Sequence, residues 1–131
     1  MSESPRYPTI LFVEDDDLVR GPVSRLLSRS CEQLIVREDG ESGLEAVLTE
    51  SYDFFVCDLC LPKVTGIELI QEARLRLRDV PILVVTGMLS EIDSSMLESC
   101  SARVLSKPFG VEELQNGMRE ASALVASSTP S

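Results

Sequence analysis

The chain has 131 residues, of which 44% are hydrophobic and 26% are charged. This length and composition fit one globular domain with an aliphatic core, and they exclude a disordered chain. The net charge of −10 opposes contact with phosphate backbones and anionic lipids, so we expect no direct nucleic-acid binding and no membrane association. Because the chain contains no His, imidazole catalysis, imidazole metal ligands and an internal phosphohistidine are excluded.

No apolar run approaches the roughly 20 residues of a membrane-spanning helix, and residues 1–8 lack a signal-peptide hydrophobic region. We therefore expect a cytoplasmic protein whose four Cys remain thiols, three of them packed as small apolar residues. The expected organisation is an N-terminal tail at 1–8, a folded domain at 9–126 and a C-terminal tail at 127–131. No output domain is expected after the last helix, so the chain either acts alone or belongs to a longer protein.

Short apolar runs alternate with longer amphipathic stretches five times, which is typical of a parallel sheet covered by helices. Three of these runs are apolar throughout, as expected for central strands that are buried on both faces. The predicted strands comprise residues 10–13, 33–36, 54–57, 82–85 and 104–105, and the first, third and fourth are the central ones.

Apolar residues at helical spacing predict a helix after each strand. Asp16 and Asp17 are expected to cap the first helix. Pro22 falls inside that helix and has no backbone N–H, so we expect a kink or a delayed helix start. The periodic positions are Leu18, Val19, Val23, Leu26 and Leu27; Leu44, Val47 and Leu48; Ile67, Leu69, Ile70 and Ala73; Met96 and Leu97; and Val111, Leu114, Met118, Ala121, Leu124 and Val125.

Polar residues stand at or near the carboxyl ends of four predicted strands. Glu14 and Asp15 follow the first strand, Asp58 the third and Thr86 the fourth, and Lys107 comes shortly after the fifth. Because doubly wound sheets bind ligands beyond the carboxyl ends of their strands, these five residues should converge at one edge. Taken singly, each has an ordinary structural explanation, such as a helix cap, a solvated Lys or a Thr hydroxyl bonded to backbone.

The chemistry of this set comes from its three carboxylates. Neighbouring carboxylates repel one another unless a cation offsets their charge or a pKa rises. An all-oxygen ligand set suits a hard cation, and Mg²⁺ in particular binds one or two carboxylates and leaves room for phosphate oxygens. Phosphoryl transfer requires mainly positioning and charge stabilisation, and this set of residues offers both.

Four segments in combination resemble the response regulator receiver family of two-component signalling. They are residues 10–16 (Ile-Leu-Phe-Val-Glu-Asp-Asp), residues 56–62 (Val-Cys-Asp-Leu-Cys-Leu-Pro) followed by Gly66, residues 85–87 (Val-Thr-Gly) and residues 106–109 (Ser-Lys-Pro-Phe). The resemblance covers the chain from Ile10 to about Leu124. It implies a flavodoxin-like α/β fold, in which a doubly wound, five-stranded parallel sheet of order 2-1-3-4-5 has helices on both faces.

The resemblance also implies roles in phosphoryl transfer. Asp58 would accept a phosphoryl group from the phosphohistidine of a histidine kinase or histidine phosphotransfer protein. Thr86 and Lys107 would contact the phosphoryl oxygens, and the Lys107–Pro108 peptide bond would be cis. The chain would then be a signalling domain and not an enzyme with a separate substrate, and its output would be protein–protein contacts with an unknown partner.

The metal site implied by the same resemblance uses four groups. Glu14, Asp15, Asp58 and the backbone carbonyl of Cys60 would hold Mg²⁺, with Glu14 reaching the ion directly or through water. No other cofactor is implied.

The chain departs from the family pattern at a few positions. Val104 occupies the place where many members have an aromatic residue that rotates on phosphorylation, so output would use a reduced switch, another surface or constitutive partner binding. Gly87 leaves the phosphoryl site open to a partner. Because Cys60 and Met88 orient an attacking water poorly, we expect slow intrinsic loss of phosphate.

Other functions remain as alternatives at this point. Cys57 and Cys60 form a Cys-x-x-Cys pair that could be a redox site, although Cys57 lies in an apolar strand and not at a helix start. A receiver-like domain could signal without phosphorylation. An aspartyl-phosphate hydrolase would usually have a second acid two residues after the nucleophile, where this chain has Cys60.

Overall fold

The computed structural model describes residues 6–59, 64–87 and 94–128, in which five strands alternate with five helices. The elements are β1 Tyr7–Val13, α1 Asp17–Ser28, β2 Cys31–Arg37, α2 Gly40–Thr49, β3 Phe54–Asp58, α3 Gly66–Arg76, β4 Ile82–Thr86, α4 Ser94–Ser99, β5 Ala102–Ser106 and α5 Val111–Ser128. None of the helices described is both long and apolar enough for a bilayer span.

The strands form one parallel sheet of order β2-β1-β3-β4-β5, as predicted. Its register aligns the strand ends that carry the candidate site: Val13 pairs with Cys57, and Asp58 pairs with Val85. The sheet order places β1, β3 and β4 in the interior, and all residues of β3 and β4 are buried. The apolar runs therefore correctly predicted the central strands.

Each observed strand contains the predicted one and extends beyond it, because backbone pairing continues past the apolar residues that make the pattern. The longest extension is at β1, which begins at Tyr7 inside the predicted tail. The Tyr7 ring packs on Phe54 with a centroid distance of 4.7 Å, and its hydroxyl shares a hydrogen bond with Ser122 on α5. These contacts attach the start of β1 to its neighbouring strand in the core and to the last helix.

Two apolar layers lie on opposite faces of the sheet, because successive side chains of a strand point to opposite sides. Leu11 and Phe55 belong to the layer under α2, α3 and α4. Phe12 and Val56 belong to the layer under α1 and α5. The helices therefore cover both faces, as the resemblance implied. Cys31, Cys57 and Cys100 are buried free thiols in these layers, as expected for small apolar packing.

Of the kink or delayed start expected for α1, the delayed start is wrong. The helix begins at Asp17 without delay, because the Asp16 side chain accepts a hydrogen bond from the N–H of Leu18 and caps it. Pro22 lies inside the helix, where its missing N–H deprives only the Leu18 carbonyl of a helical partner. Leu18 is 86% exposed, so solvent reaches that turn.

Four residues of the periodic apolar pattern are exposed and do not pack in the core. The stripe of each helix that faces the sheet is narrower than the set of apolar positions, so residues at its margin contact solvent. They are Leu18, Leu48, Ile67 and Val111.

Candidate functional site

The carboxyl edge of the sheet holds most of the buried polar side chains. Among the residues that the structure describes, four polar or charged residues are buried, and three of them are at this edge. Glu14 directly follows β1, whereas Asp58 and Thr86 are the last residues of β3 and β4. Burial of such groups requires compensation, because a carboxylate out of water needs an ionic or hydrogen-bonding partner.

Three carboxylates meet at this edge. Glu14, Asp15 and Asp58 each contribute an oxygen, and these oxygens all lie within 4.8 Å of one another. Glu14 and Asp58 are buried, whereas Asp15 is exposed to solvent. The cluster is thus open to solvent on the side of Asp15.

Lys107 brings a positive charge into the cluster from the far edge of the sheet. Its Nζ lies 2.7 Å from Glu14 Oε1 and 3.2 Å from Asp58 Oδ2. Its backbone N–H donates a 2.8 Å hydrogen bond to the carbonyl of Thr86, which continues the pairing of β4 with β5. The Lys107–Pro108 bond is cis, as the resemblance implied. The structure therefore brings Lys107 to the acids, as the strand-end pattern predicts.

The charges of the cluster are unbalanced. Burial raises the pKa of Glu14 to about 7, and its hydrogen bond with Asp58 acts in the same direction while Lys107 opposes it. Burial alone would lower the pKa of Lys107, but its contacts with Glu14 and the charge of Asp58 outweigh burial and raise it. A single ammonium group does not neutralise three carboxylates, and the raised pKa leaves part of the Glu14 population protonated near neutral pH.

The donor chemistry of the cluster fits a hard divalent cation. All three side-chain donors are carboxylate oxygens, which suit Mg²⁺ and do not suit soft metals. Glu14 Oε1 is buried, and among the residues described it accepts no well-aligned hydrogen bond. The ammonium group of Lys107, 2.7 Å away, forms an ion pair with it. Cys60, the fourth predicted ligand, lies outside the described residues, as does Met88.

Thr86 is fully buried at the end of β4. Its strand neighbour Val85 pairs with Asp58, and Thr86 itself pairs with Ser106 on β5. Thr86 therefore lies between the strand that carries Asp58 and the strand that leads to Lys107. This placement agrees with the position that the sequence pattern assigned to it.

Gly66 has a structural role that the motif alone did not reveal. A Cβ built at Gly66 would lie 2.2 Å from the backbone oxygen of Asp58 and 2.6 Å from Leu59 Cα. The Gly66 N–H donates a 3.1 Å hydrogen bond to the Leu59 carbonyl. Only glycine allows α3 to begin this close to the residue at the end of β3, and the sequence signal was simply a Gly shortly after the Asp58 segment.

Cys57 does not have the environment of a redox thiol. It is fully buried in β3, and burial raises the pKa of its thiol well above the ordinary value, with the charges of Asp58 and Glu14 acting in the same direction. Reactive thiols have lowered pKa values and partial exposure. The environment of Cys57 therefore argues against the redox alternative.

Val104 is partly buried in β5 and packs against the layer under α4. It lines a surface groove of about 570 Å³ between α4, β5 and α5. Where many family members have an aromatic ring, this chain thus has a small aliphatic side chain beside an open groove.

Comparison with known proteins agrees with the geometry. Residues 10–119 match the family model described as the response regulator receiver domain. The chain is 34% identical over 107 residues to transcriptional regulatory protein QseB of Haemophilus influenzae, an alignment that covers 80% of this chain and 48% of the relative. It is also 34% identical over 122 residues to response regulator MprA of Mycolicibacterium vanbaalenii, covering 92% of this chain and 52% of the relative.

Solved structures show the same fold. The chemotaxis response regulator CheY4 of Vibrio cholerae superposes with a TM-score of 0.75 at 25% identity, covering 87% of this chain and 98% of that chain.

This chain spans about half the length of the curated relatives it matches, at 48% for QseB and 52% for MprA. The family match, the sheet order and the acidic cluster together show that the chain belongs to the response regulator receiver domain family.

Proposed function

We propose that Asp58 accepts a phosphoryl group from the phosphohistidine of a histidine kinase or histidine phosphotransfer protein, in a Mg²⁺-dependent reaction. One observation carries this proposal: the buried carboxylate at the end of β3 has an ammonium group 3.2 Å away and shares a cluster within 4.8 Å with the acid pair after β1. Such a site supplies a nucleophile and places countercharge next to it.

The proposed transfer exchanges one bond to phosphorus for another. A carboxylate oxygen of Asp58 bonds to phosphorus as the phosphorus–nitrogen bond of the donor breaks, and the bonding electron pair returns to the imidazole. Lys107, already near Asp58, offsets charge on the phosphoryl oxygens, and Thr86 would donate its hydroxyl to one of them. The product is an acyl phosphate on Asp58.

The proposed metal ligands are Glu14, Asp15, Asp58 and the backbone carbonyl of Cys60. Bound Mg²⁺ would supply positive charge that offsets the carboxylates and the incoming phosphoryl oxygens. Glu14 contributes to this site only when its carboxyl group has lost its proton, and burial raises its pKa to about 7. The acids thus favour a cation more strongly as the pH rises above neutrality.

The proposed output is a change in protein–protein contacts of the receiver domain predicted at residues 9–126. About two negative charges on Asp58 would shift the ends of β4 and β5, which are joined by the hydrogen bond from Lys107 N–H to the Thr86 carbonyl. QseB is named a transcriptional regulator, but the net charge of −10 opposes DNA binding by this chain itself. We propose a cytoplasmic location for this exchange.

The test uses the whole chain, Mg²⁺ and a small acyl-phosphate donor, with intact-mass measurement. The unchanged chain should gain one phosphoryl group, and Asp58→Asn should gain none. Asp79→Asn is the matched control, because Asp79 is exposed on the loop before β4 and should leave labelling unchanged. Omission of Mg²⁺ should strongly reduce labelling.

The outcomes separate the alternatives. A mass gain that persists in Asp58→Asn would overturn the assignment of the acceptor. No gain in the unchanged chain, with donor, Mg²⁺ and a histidine phosphotransfer protein all supplied, would favour a receiver domain that signals without phosphorylation.

A further inference from the structure

Arg20 on α1 holds the backbone that carries the acid pair. Its Nη1 donates a hydrogen bond of 3.0 Å to the carbonyl of Glu14 and one of 3.3 Å to the carbonyl of Asp15. The side chain is only 18% exposed, although it belongs to a helix on the protein surface. No sequence pattern singles out Arg20, which is one of two Arg residues on the helix that follows the two acids.

The other side of the guanidinium group is anchored by acids. Its Nη2 pairs with Asp17 in the first turn of α1, and lies 3.5 Å from Glu38 Oε2 after β2. Asp17 and Glu38 have side chains that are 84% and 74% exposed, so these ion pairs contribute little free energy by themselves. Their effect is to hold the planar guanidinium group in one orientation between the loop after β1 and the loop after β2.

Fixing the two carbonyls also fixes the side chains. A carbonyl defines the plane of its peptide bond, and the planes on either side of a residue set the direction of its Cβ. The loop is held at its start by the Glu14 N–H, which bonds to the Arg37 carbonyl at 3.1 Å, and at its end by the Asp16 cap. Arg20 holds the two carbonyls in between, while the carboxylates of Glu14 and Asp15 meet Asp58.

We propose that Arg20 is a positioning residue for Mg²⁺, which keeps Glu14 and Asp15 directed at the metal by holding their backbone carbonyls. This inference rests on the proposed metal site and adds a residue to it that does not touch the metal. Partners that orient metal ligands typically affect metal affinity by about 10- to 100-fold.

A purely electrostatic role would have the opposite sign. Arg20 is a cation beside a cation site, so removing its charge would strengthen Mg²⁺ binding if charge alone mattered. Removing the carbonyl contacts would weaken binding, because the acids would lose their fixed directions. The direction of the change therefore distinguishes the two roles.

Isothermal titration with Mg²⁺ of the whole chain provides the measurement. Arg20→Gln should bind Mg²⁺ about tenfold or more weakly. Arg20→Lys should also bind more weakly, because its single ammonium group keeps the charge but does not reproduce the planar fork. Arg25→Gln removes the same charge from an exposed position of the same helix and should bind as the unchanged chain does.

Thermal unfolding in chelator accompanies each titration, because a merely structural role would lower the melting temperature and leave the Mg²⁺ affinity of the folded chain unchanged. Three results would overturn the proposed role of Arg20 without touching the metal site: a lower melting temperature with unchanged Mg²⁺ affinity, tighter Mg²⁺ binding by Arg20→Gln, or unchanged Mg²⁺ affinity in Arg20→Lys. If Arg20→Gln did not fold, the affinity of Arg20→Lys would decide. Absence of Mg²⁺ binding by the unchanged chain would overturn the proposed metal site together with this inference.

Discussion

The interiors of the central strands and their carboxyl ends are equally buried but opposite in chemistry. Phe55 and Val84 lie in β3 and β4 with no exposed surface, in an apolar layer. Asp58 and Thr86 end the same two strands and are also buried. Burial of the interior residues stabilises the fold, whereas burial of the acids costs stability, so the strand ends are where function conflicts with folding.

The largest effect on stability is expected in the strand interior. Phe55→Ala should lower the free energy of unfolding by about 3–5 kcal/mol, because the ring is fully buried and leaves a cavity. Urea unfolding followed by circular dichroism would measure it. Leu75→Ala is the control, since Leu75 is 78% exposed on α3 and should change stability by less than about 0.5 kcal/mol. Equal losses in both variants would contradict the assigned layer.

At a strand end, in contrast, a substitution should raise the free energy of unfolding. Without metal, Glu14→Gln should be more stable than the unchanged chain at pH 8, by about 3 kcal/mol. The reason is that the fold holds the pKa of Glu14 at about 7, above the ordinary 4.5. Glutamine keeps the shape of the protonated carboxyl group and removes the cost of ionising it.

The pH dependence of that difference follows from the two pKa values. Below about pH 4.5 the carboxyl group is protonated in both folded and unfolded chains, and the two proteins should be equally stable with respect to this site. As the pH rises toward 7, the unfolded chain releases the proton first, so the unchanged protein loses stability relative to Glu14→Gln. Urea unfolding in chelator from pH 5 to 8 tests this, and a difference that is constant with pH would refute the raised pKa.

The features that could be predicted from the sequence are those that produce a residue pattern or follow from the chain connectivity. Apolar runs such as residues 54–57 predicted the central strands, because full burial leaves a continuous hydrophobic signal. Sheet topology then implied that Glu14, Asp58 and Lys107 converge, and the structure places them together. These predictions depend on pattern and connectivity, which the sequence carries directly.

Other features depend on individual contacts that no pattern encodes. The apolar spacing that includes Leu18 predicted the helix but did not show that Leu18 lies outside the stripe facing the sheet. The Arg20 contacts are to backbone carbonyls, which are present in every residue and leave no signature in the sequence. The need for Gly66 arises from the approach of α3 to Asp58, which only coordinates reveal.

The smallest expected effect separates two kinds of acid in the run that follows β1. Asp16 caps α1 through the Leu18 N–H and is not part of the carboxylate cluster, whereas the neighbouring Asp15 is. Asp16→Ala should therefore lower the free energy of unfolding by about 1 kcal/mol. It should weaken Mg²⁺ binding much less than Asp15→Asn does, because Arg20 still holds the carbonyls of Glu14 and Asp15. Asp15→Asn should weaken Mg²⁺ binding with little loss of stability. Urea unfolding and Mg²⁺ titration of both variants make the test. Equal loss of Mg²⁺ affinity in the two variants would place Asp16 among the metal ligands, because a residue that only caps a helix does not bind the ion.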